Sequence, residues 1–133
     1  MNQIEIKATI EKLIDTFLYA GEVSIELREK GLTKEIKEDN TPVSNGDLEV
    51  NRILTEKLLN LTPQIPIVSE ETSHNKSKKD LKDFWLIDPI DGTYDYINDL
   101  EEFTLNAGLI INNRAVAGII YAPAKDRLFY SYG

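Results

Sequence analysis

The segment from Asp88 to Thr93 holds the densest set of residues that could do chemistry. It reads Asp-Pro-Ile-Asp-Gly-Thr and directly follows the apolar run 84–87. The proline stiffens the turn, and Gly92 lets the backbone approach a ligand closely or adopt a positive φ. Carboxylates crowded at the end of an apolar strand repel one another unless a cation or protons intervene, and hard oxygen ligands suit Mg²⁺ or Mn²⁺. The segment therefore indicates a divalent-metal site, and the alternative is a turn in which Asp88 and Asp91 only cap backbone N–H groups.

A second acidic pair, Glu70 and Glu71, follows another short apolar run at 66–68. Adjacent residues on an extended chain point to opposite sides, so one of the two could face a metal while the other faces solvent or a residue that supports the site. Ligands tend to bind at the carboxyl ends of sheet strands, and two such ends could converge on one ion. The alternative is that both are ordinary surface acids.

Asp47 is the third acid of interest. It stands three residues after Ser44, in the pattern of a capping box at the start of a helix. It also lies on the same predicted helix face as Val50 and Leu54, so it is either a capping residue, a buried functional group, or both. The hydroxyl of Thr93 could pair with Asp47 to orient a water molecule.

The elements that must position these residues follow from periodicity and turn signals. Apolar residues spaced by four and three predict a helix over 4–30 that stops at Gly31, and a second helix should run from near Ser44 to 62–63. Short buried strands are predicted at 66–68 and 84–87, and the polar loop 72–82 with His74 should be solvated. Three further strands at 103–111, 115–121 and 127–132, with a hairpin turn at Asn112–Asn113, complete an α+β or layered αβ order.

Composition narrows the class of protein. The chain has 133 residues, a hydrophobic fraction of 41% and no cysteine, which excludes disulfides and thiolate chemistry. Its formal net charge of −8 argues against non-specific binding to nucleic acid. The N-terminus lacks a signal-peptide core, and no apolar run is long enough to span a membrane. The expected location is the cytoplasm, with peripheral association at the inner membrane left open.

Taken together, these segments resemble the inositol-monophosphatase superfamily. Its central signature is an aromatic-led strand followed by Asp-Pro-hydrophobic-Asp-Gly-Thr, which is present at 85–93. Its upstream acidic motif is present at 67–71 and its helix-start motif at 41–47, although the family usually has Ala where Gly46 stands. Three segments are similar to the CysQ branch, the 3′(2′),5′-bisphosphate nucleotidases: 39–43, 102–106 and 118–123.

The resemblance implies a fold and a set of roles. The fold would be the N-terminal half of the inositol-monophosphatase-like sugar phosphatase fold, with two helices packed on a mostly antiparallel sheet. Two or three Mg²⁺ ions, or Mn²⁺, would be bound by Glu70, Asp88, Asp91 and the carbonyl of Ile90. Asp47 and Thr93 would activate the attacking water, and the substrate phosphate would meet Asp91, Gly92 and Thr93.

The implied activity is Mg²⁺-dependent hydrolysis of a small phosphorylated metabolite, adenosine 3′,5′-bisphosphate, to AMP and phosphate. An inositol or sugar phosphatase is the alternative, because the family's substrate contacts lie mostly beyond the part that 1–133 matches. Tyr94-Asp95-Tyr96, where the branch usually has Lys-Glu-Phe, also weakens the assignment of the substrate. Family members continue through a second αβ part with a metal-binding Asp, which nothing in 1–133 matches. We therefore expect 1–133 to be the metal-binding N-terminal part, weakly active or inactive alone: a truncated fragment, or half of a split enzyme completed by a separate C-terminal chain. A homodimer is the other partner left open.

Overall fold

The computed structural model describes residues 1–69, 71 and 81–133. The predictions for Glu70, His74 and most of the loop 72–82 fall outside these residues. The described elements, in chain order, are α1 (Gln3–Lys30), β1 (Lys34–Ile36), β2 (Pro42–Ser44), α2 (Asn45–Leu61), β3 (Ile67–Ser69), β4 (Phe84–Asp91), α3 (Thr93–Ile97), β5 (Thr104–Ile111), β6 (Arg114–Ala122) and β7 (Arg127–Ser131), with a single 3₁₀ turn at Pro123–Lys125.

Helix α1 begins and ends as its sequence dictates. The Asn2 side chain accepts a hydrogen bond from the Glu5 N–H at 2.8 Å, and the Glu5 carboxylate accepts one from the Asn2 N–H at 3.0 Å. This capping box satisfies two backbone donors that the helix leaves without partners. The helix ends at Gly31, whose φ of 100° suits a residue without Cβ. The predicted apolar stripe is confirmed, since all five of its members are buried: Ile6, Ile10, Leu13, Phe17 and Ala20.

Helix α2 starts at the predicted cap, with the Ser44 hydroxyl accepting from the Asp47 N–H at 3.3 Å. Val50, Leu54 and Leu58 are fully buried, as the spacing predicts. Leu61 is only partly buried, because the helix ends there and the chain turns away. The predicted end before Thr62–Pro63 is confirmed.

The main sheet has five strands in the order β3-β4-β5-β6-β7. Strand β3 pairs parallel with β4, and the other three pairings are antiparallel, so the predicted mostly antiparallel sheet is confirmed. Asn112 and Asn113 join β5 to β6 with φ of 50° and 63°. Two consecutive positive φ values are those of a type I′ turn, which matches the twist of the flanking strands. Strands β1 and β2 form a separate two-stranded sheet.

The core lies between one face of this sheet and helices α1 and α2. Alternate residues of the strands point into it, among them Leu105, Leu109 and Ile119, all fully buried. The Trp85 indole N–H donates to the Thr62 hydroxyl at 2.9 Å, which ties β4 to the end of α2. On the opposite face Ile120 is 44% exposed. None of the helices in the described part of the chain combines the length and the apolar character that crossing a membrane would require.

Candidate active site

The parallel pairing of β3 and β4 brings two acidic segments to one edge of the sheet. Ser69 and Ile87 are partners in this pairing, so the residues that follow them start at the same level of the sheet. Asp88 follows Ile87 on β4, and the Glu70–Glu71 pair follows Ser69 on β3. The two acidic segments therefore start side by side, although the placement of Glu70 itself is outside the described residues.

The sequence predicts a strand over 84–87, whereas β4 continues to Asp91. Asp88 pairs with Asn106 and Asp91 pairs with Thr104, so three steps along β4 oppose two steps along β5. This is a β-bulge, which places one extra residue in β4 and re-aims the side chains around it. Periodicity alone could not predict the extension, because the bulge interrupts the alternation that marks a strand.

Gly92 makes the turn after the bulge. Its φ of 92° lies in the left-handed region, where residues with a Cβ are strained. A Cβ at this position would also come within 2.7 Å of the Glu102 carbonyl oxygen, so the backbone of β5 leaves no room for one. Helix α3 begins at the next residue, Thr93. Among the described residues no side chain caps α3, and the first N–H groups of a helix have no partner within it.

Asp47 and Thr93 are in direct contact. The Thr93 hydroxyl donates to Asp47 Oδ1 at 2.8 Å and lies 3.2 Å from the Ile90 carbonyl oxygen. Asp47 is fully buried, and its Oδ2 accepts from the Ser44 N–H at 2.8 Å and the Ser44 hydroxyl at 2.5 Å. The carboxylate is thus a helix cap on one oxygen and a partner of Thr93 on the other. Asp47 is therefore a capping residue and is also buried.

Glu71 is not the surface acid that a generic Glu-Glu pair suggests. Its side chain is only 7% exposed, and Lys37 Nζ lies 3.7 Å from its Oε1. Lys37 follows β1, so this ion pair connects the two-stranded sheet to the edge of the main sheet. The alternative of two surface acids is therefore wrong for Glu71.

The connection between β1 and β2 adds residues that the sequence analysis did not select. Asp39 accepts hydrogen bonds from the Thr41 hydroxyl at 2.5 Å and from the Thr41 N–H at 3.1 Å. These bonds, with a smaller contribution from the charge of Lys37, lower the pKa of the Asp39 carboxyl. Asn40 between them has a φ of 67°. The signal that could have pointed to this segment is its Asp-Asn-Thr-Pro sequence, which is typical of a turn in which the Asp side chain bonds to the backbone.

These pieces line one cleft of about 330 Å³. The atoms in this cleft that could bind a metal are carboxylate and carbonyl oxygens, the ligands that Mg²⁺ and Mn²⁺ prefer. Within residues 1–69, 71 and 81–133, no three His, Cys, Asp or Glu side chains are grouped closely enough to hold an ion by themselves. Asp47 does not line the cleft itself, but it accepts a hydrogen bond from Thr93, which does. The lining residues are Lys37, Asp39, Thr41, Pro42, Glu71, Asp88, Ile90, Asp91, Gly92, Thr93 and Tyr94.

Curated relatives match most of this chain in sequence. A 3′(2′),5′-bisphosphate nucleotidase CysQ of Aggregatibacter actinomycetemcomitans is 40% identical over 124 residues, covering 92% of this chain and 46% of that protein. The protein of the same name from Haemophilus influenzae is 42% identical over 105 residues, covering 77% of this chain and 39% of that protein. The chain thus spans less than half the length of these relatives.

Solved structures share the fold. The extragenic suppressor protein suhB of Bartonella henselae superposes with a TM-score of 0.83 at 24% identity, over 94% of this chain and 49% of that one. An inositol monophosphatase of Thermotoga maritima gives a TM-score of 0.81 at 23% identity, over 92% of this chain and 47% of that one. These likenesses confirm the α+β layered fold expected from the sequence.

The family assignment comes from the sequence itself. Residues 6–133, almost the whole chain, match the family described as the inositol monophosphatase family. The match includes the acidic turn, the Asp47–Thr93 pair and the sheet edge that holds them. The chain belongs to the inositol monophosphatase family.

Proposed function

We propose that the protein to which this chain belongs is a Mg²⁺-dependent phosphomonoesterase of the 3′(2′),5′-bisphosphate nucleotidase type. The reaction would convert adenosine 3′,5′-bisphosphate to AMP and phosphate. The observation that carries the proposal is the 2.8 Å hydrogen bond from the Thr93 hydroxyl to buried Asp47, beside a cleft lined by Asp88 and Asp91. The names of the curated relatives support the substrate class.

The metal ligands would be Asp88, Asp91, the Ile90 carbonyl oxygen and Glu70. The first three lie on the bulged end of β4 and line the cleft, and their hard oxygens fit two or three Mg²⁺ ions, with Mn²⁺ as a substitute. Bound divalent ions would supply neutralisation of the phosphate charge and an easier deprotonation of water. The bulge serves this chemistry because it lets acids three residues apart line one cleft.

Thr93 and Asp47 would orient the attacking water and carry its proton. The hydroxyl hydrogen of Thr93 is committed to Asp47 Oδ1, so its oxygen lone pairs can accept a hydrogen bond from water on the cleft side. As the water attacks phosphorus, its proton can pass to Thr93 Oγ1 while the Thr93 proton moves to Asp47. Asp47 is held for this by its two bonds from Ser44.

The substrate phosphate would be held by Asp91, through the ions, and by the backbone N–H groups of Gly92 and Thr93. The positive φ of Gly92 turns the chain into α3 at this point. Backbone donors fixed by such a turn need no rearrangement as charge develops on the phosphate oxygens. Charge stabilisation and positioning account for most of the catalysis in phosphoryl transfer.

The test measures phosphate release by the protein with Mg²⁺, from adenosine 3′,5′-bisphosphate and in parallel from inositol 1-phosphate and a sugar phosphate. Asp88→Asn should abolish turnover and keep the wild-type circular dichroism spectrum, because it replaces a ligand without changing side-chain volume. Asp15→Asn, on the exposed surface of α1, is the matched control and should retain full activity.

The outcomes separate the alternatives. Full activity in Asp88→Asn would end the metal-site assignment. Release from inositol 1-phosphate or the sugar phosphate alone would favour the inositol or sugar phosphatase, the alternative motivated by Tyr94-Asp95-Tyr96.

A further inference from the structure

Tyr96 lies where three helices meet. It belongs to α3, its side chain is fully buried, and its hydroxyl donates to the Ser24 carbonyl oxygen of α1 at 2.6 Å. The Ser24 hydroxyl is itself bonded to the Gly21 carbonyl oxygen at 2.6 Å. The hydroxyl of Tyr96 thus joins the short helix α3 to the C-terminal part of α1.

The same ring packs on the first turn of α2. A Cβ placed on Gly46 would lie 2.1 Å from the Tyr96 hydroxyl oxygen and 2.6 Å from Cε2 of the ring. The ring therefore rests against the backbone of the residue directly before Asp47, at a distance that only glycine allows. Burial, with the charge of Asp47 as a second cause, raises the pKa of the Tyr96 hydroxyl, so the group stays a neutral donor.

Arg28 also contacts the Tyr96 ring. Its guanidinium lies 5.5 Å from the centre of the Tyr96 ring and 4.9 Å from that of Phe103, and the two ring centres are 4.9 Å apart. It also donates to the Leu100 carbonyl oxygen at 2.7 Å. A cation over aromatic faces in a buried setting restrains the ring from sliding away from Gly46.

Thr93 is three residues before Tyr96 in α3, so the two residues lie on neighbouring parts of the same short helix. We propose that the Tyr96 hydroxyl is a positioning group for the Asp47–Thr93 pair: by bonding to Ser24 while its ring rests on Gly46, it fixes α3 against the start of α2 at the separation this pair requires. Only the expected change in kcat rests on the proposed function. The geometric part of the proposal rests on the contacts of Tyr96 alone.

Tyr96→Phe is the direct test, because it removes the hydroxyl and keeps the ring. The Ser24 carbonyl retains its hydrogen bond within α1, so the variant leaves no buried acceptor without a partner and should fold. The amide ¹H–¹⁵N signals of Asp47 and Thr93 should shift. We expect kcat to fall about fivefold with KM unchanged, the equivalent of the roughly 1 kcal/mol of a neutral hydrogen bond.

A double-variant cycle separates positioning from general destabilisation. In a Thr93→Val background the pair no longer exists, so adding Tyr96→Phe should leave kcat unchanged. Tyr121→Phe is the matched control: Tyr121 is also buried, and its hydroxyl lies 3.4 Å from Asp126, away from the cleft. It should leave the Asp47 and Thr93 signals and kcat as they are.

Three results would overturn the proposal. One is unchanged amide signals for Asp47 and Thr93 in Tyr96→Phe. Another is an equal loss of kcat from Tyr96→Phe with and without Thr93→Val. The third is an equal shift of those signals in Tyr121→Phe. If the whole protein to which this chain belongs releases phosphate from no ester, the proposed function fails, and the amide signals alone still decide this inference.

Should Tyr96→Phe fail to fold, Gly46→Ala provides a second variant at the same contact. Its added methyl would push the first turn of α2 away from the ring. It should therefore shift the Thr93 amide signal, and a Thr93 signal identical to wild type in a folded Gly46→Ala protein would contradict the proposal.

Discussion

The two oxygens of the Asp47 carboxylate face different partners, and this division can be tested residue by residue. Oδ2 accepts from Ser44 as part of the helix cap, and Oδ1 accepts from Thr93. In Asp47→Asn an amide NH₂ would face at least one of these donors. Leaving a buried donor without an acceptor costs about 1–3 kcal/mol, so the free energy of unfolding in urea should fall by that amount.

Ser44→Ala separates the cap from the functional contact. It removes the capping hydroxyl, at a cost of about 1 kcal/mol of unfolding free energy, and leaves the Thr93 side of Asp47 in place. Phosphate release should therefore survive in Ser44→Ala and be lost in Asp47→Asn. Equal activity losses in two equally destabilised variants would mean that Asp47 acts only as a cap.

Gly92 is the second residue whose type is dictated by its surroundings. Gly92→Ala combines the strain of a left-handed φ with a clash against the Glu102 carbonyl oxygen, and the strain alone costs about 1–3 kcal/mol. Gly31→Ala is a useful comparison, because Gly31 also has a positive φ but nothing lies within 4 Å of its added Cβ. Thermal unfolding should show the larger loss for Gly92→Ala, and equal losses would show that the contact with β5 is unimportant.

At the scale of elements, the stability of the segment between β1 and β2 should depend on the protonation of Asp39. Hydrogen bonds from Thr41 lower the folded-state pKa of Asp39 below 3.8, so the stability they contribute is present above that value and is lost as pH falls through the folded-state pKa. Thr41→Val should raise this pKa toward 3.8, as followed by NMR titration of the Asp39 carboxyl. A titration unchanged by Thr41→Val would contradict the assignment.

The stability difference gives a second readout of the same contact. Wild type and Thr41→Val should differ in stability at neutral pH and converge once Asp39 is protonated in both. Asp39 is exposed, so solvent screening keeps the difference small.

Local signals made most elements predictable, and contacts between distant segments account for what was missed. The stripe of α1, the capping box of α2 and the Asn112–Asn113 turn each lie within a few residues of sequence. The ion pair of Glu71 was not predicted because its partner, Lys37, lies far away in the sequence, directly after β1. Tyr96 was not selected at all, because its hydroxyl meets Ser24, 72 residues earlier in the chain.

At the scale of the whole molecule, the predicted metal site should link ion binding to stability. A ligand that binds only the folded state stabilises it by about 2.7 kcal/mol at a hundred times its Kd. Millimolar MgCl₂ should therefore raise the Tm of the wild-type protein, and the rise should be smaller in Asp88→Asn. NaCl at matched ionic strength controls for screening of the net charge of −8. An equal rise with both salts would indicate screening and no specific site.

The bulge in β4 makes the site depend on how many residues the neighbouring strand has. Side chains three positions apart in a regular strand point to opposite faces, and only the unequal count between 88–91 and 104–106 lets both aspartates line one cleft. One residue inserted into β5 opposite the bulge would equalise the count and rotate Asp91 out of the cleft. A length change in a strand that supplies no acid would then remove a ligand as effectively as replacing the aspartate itself.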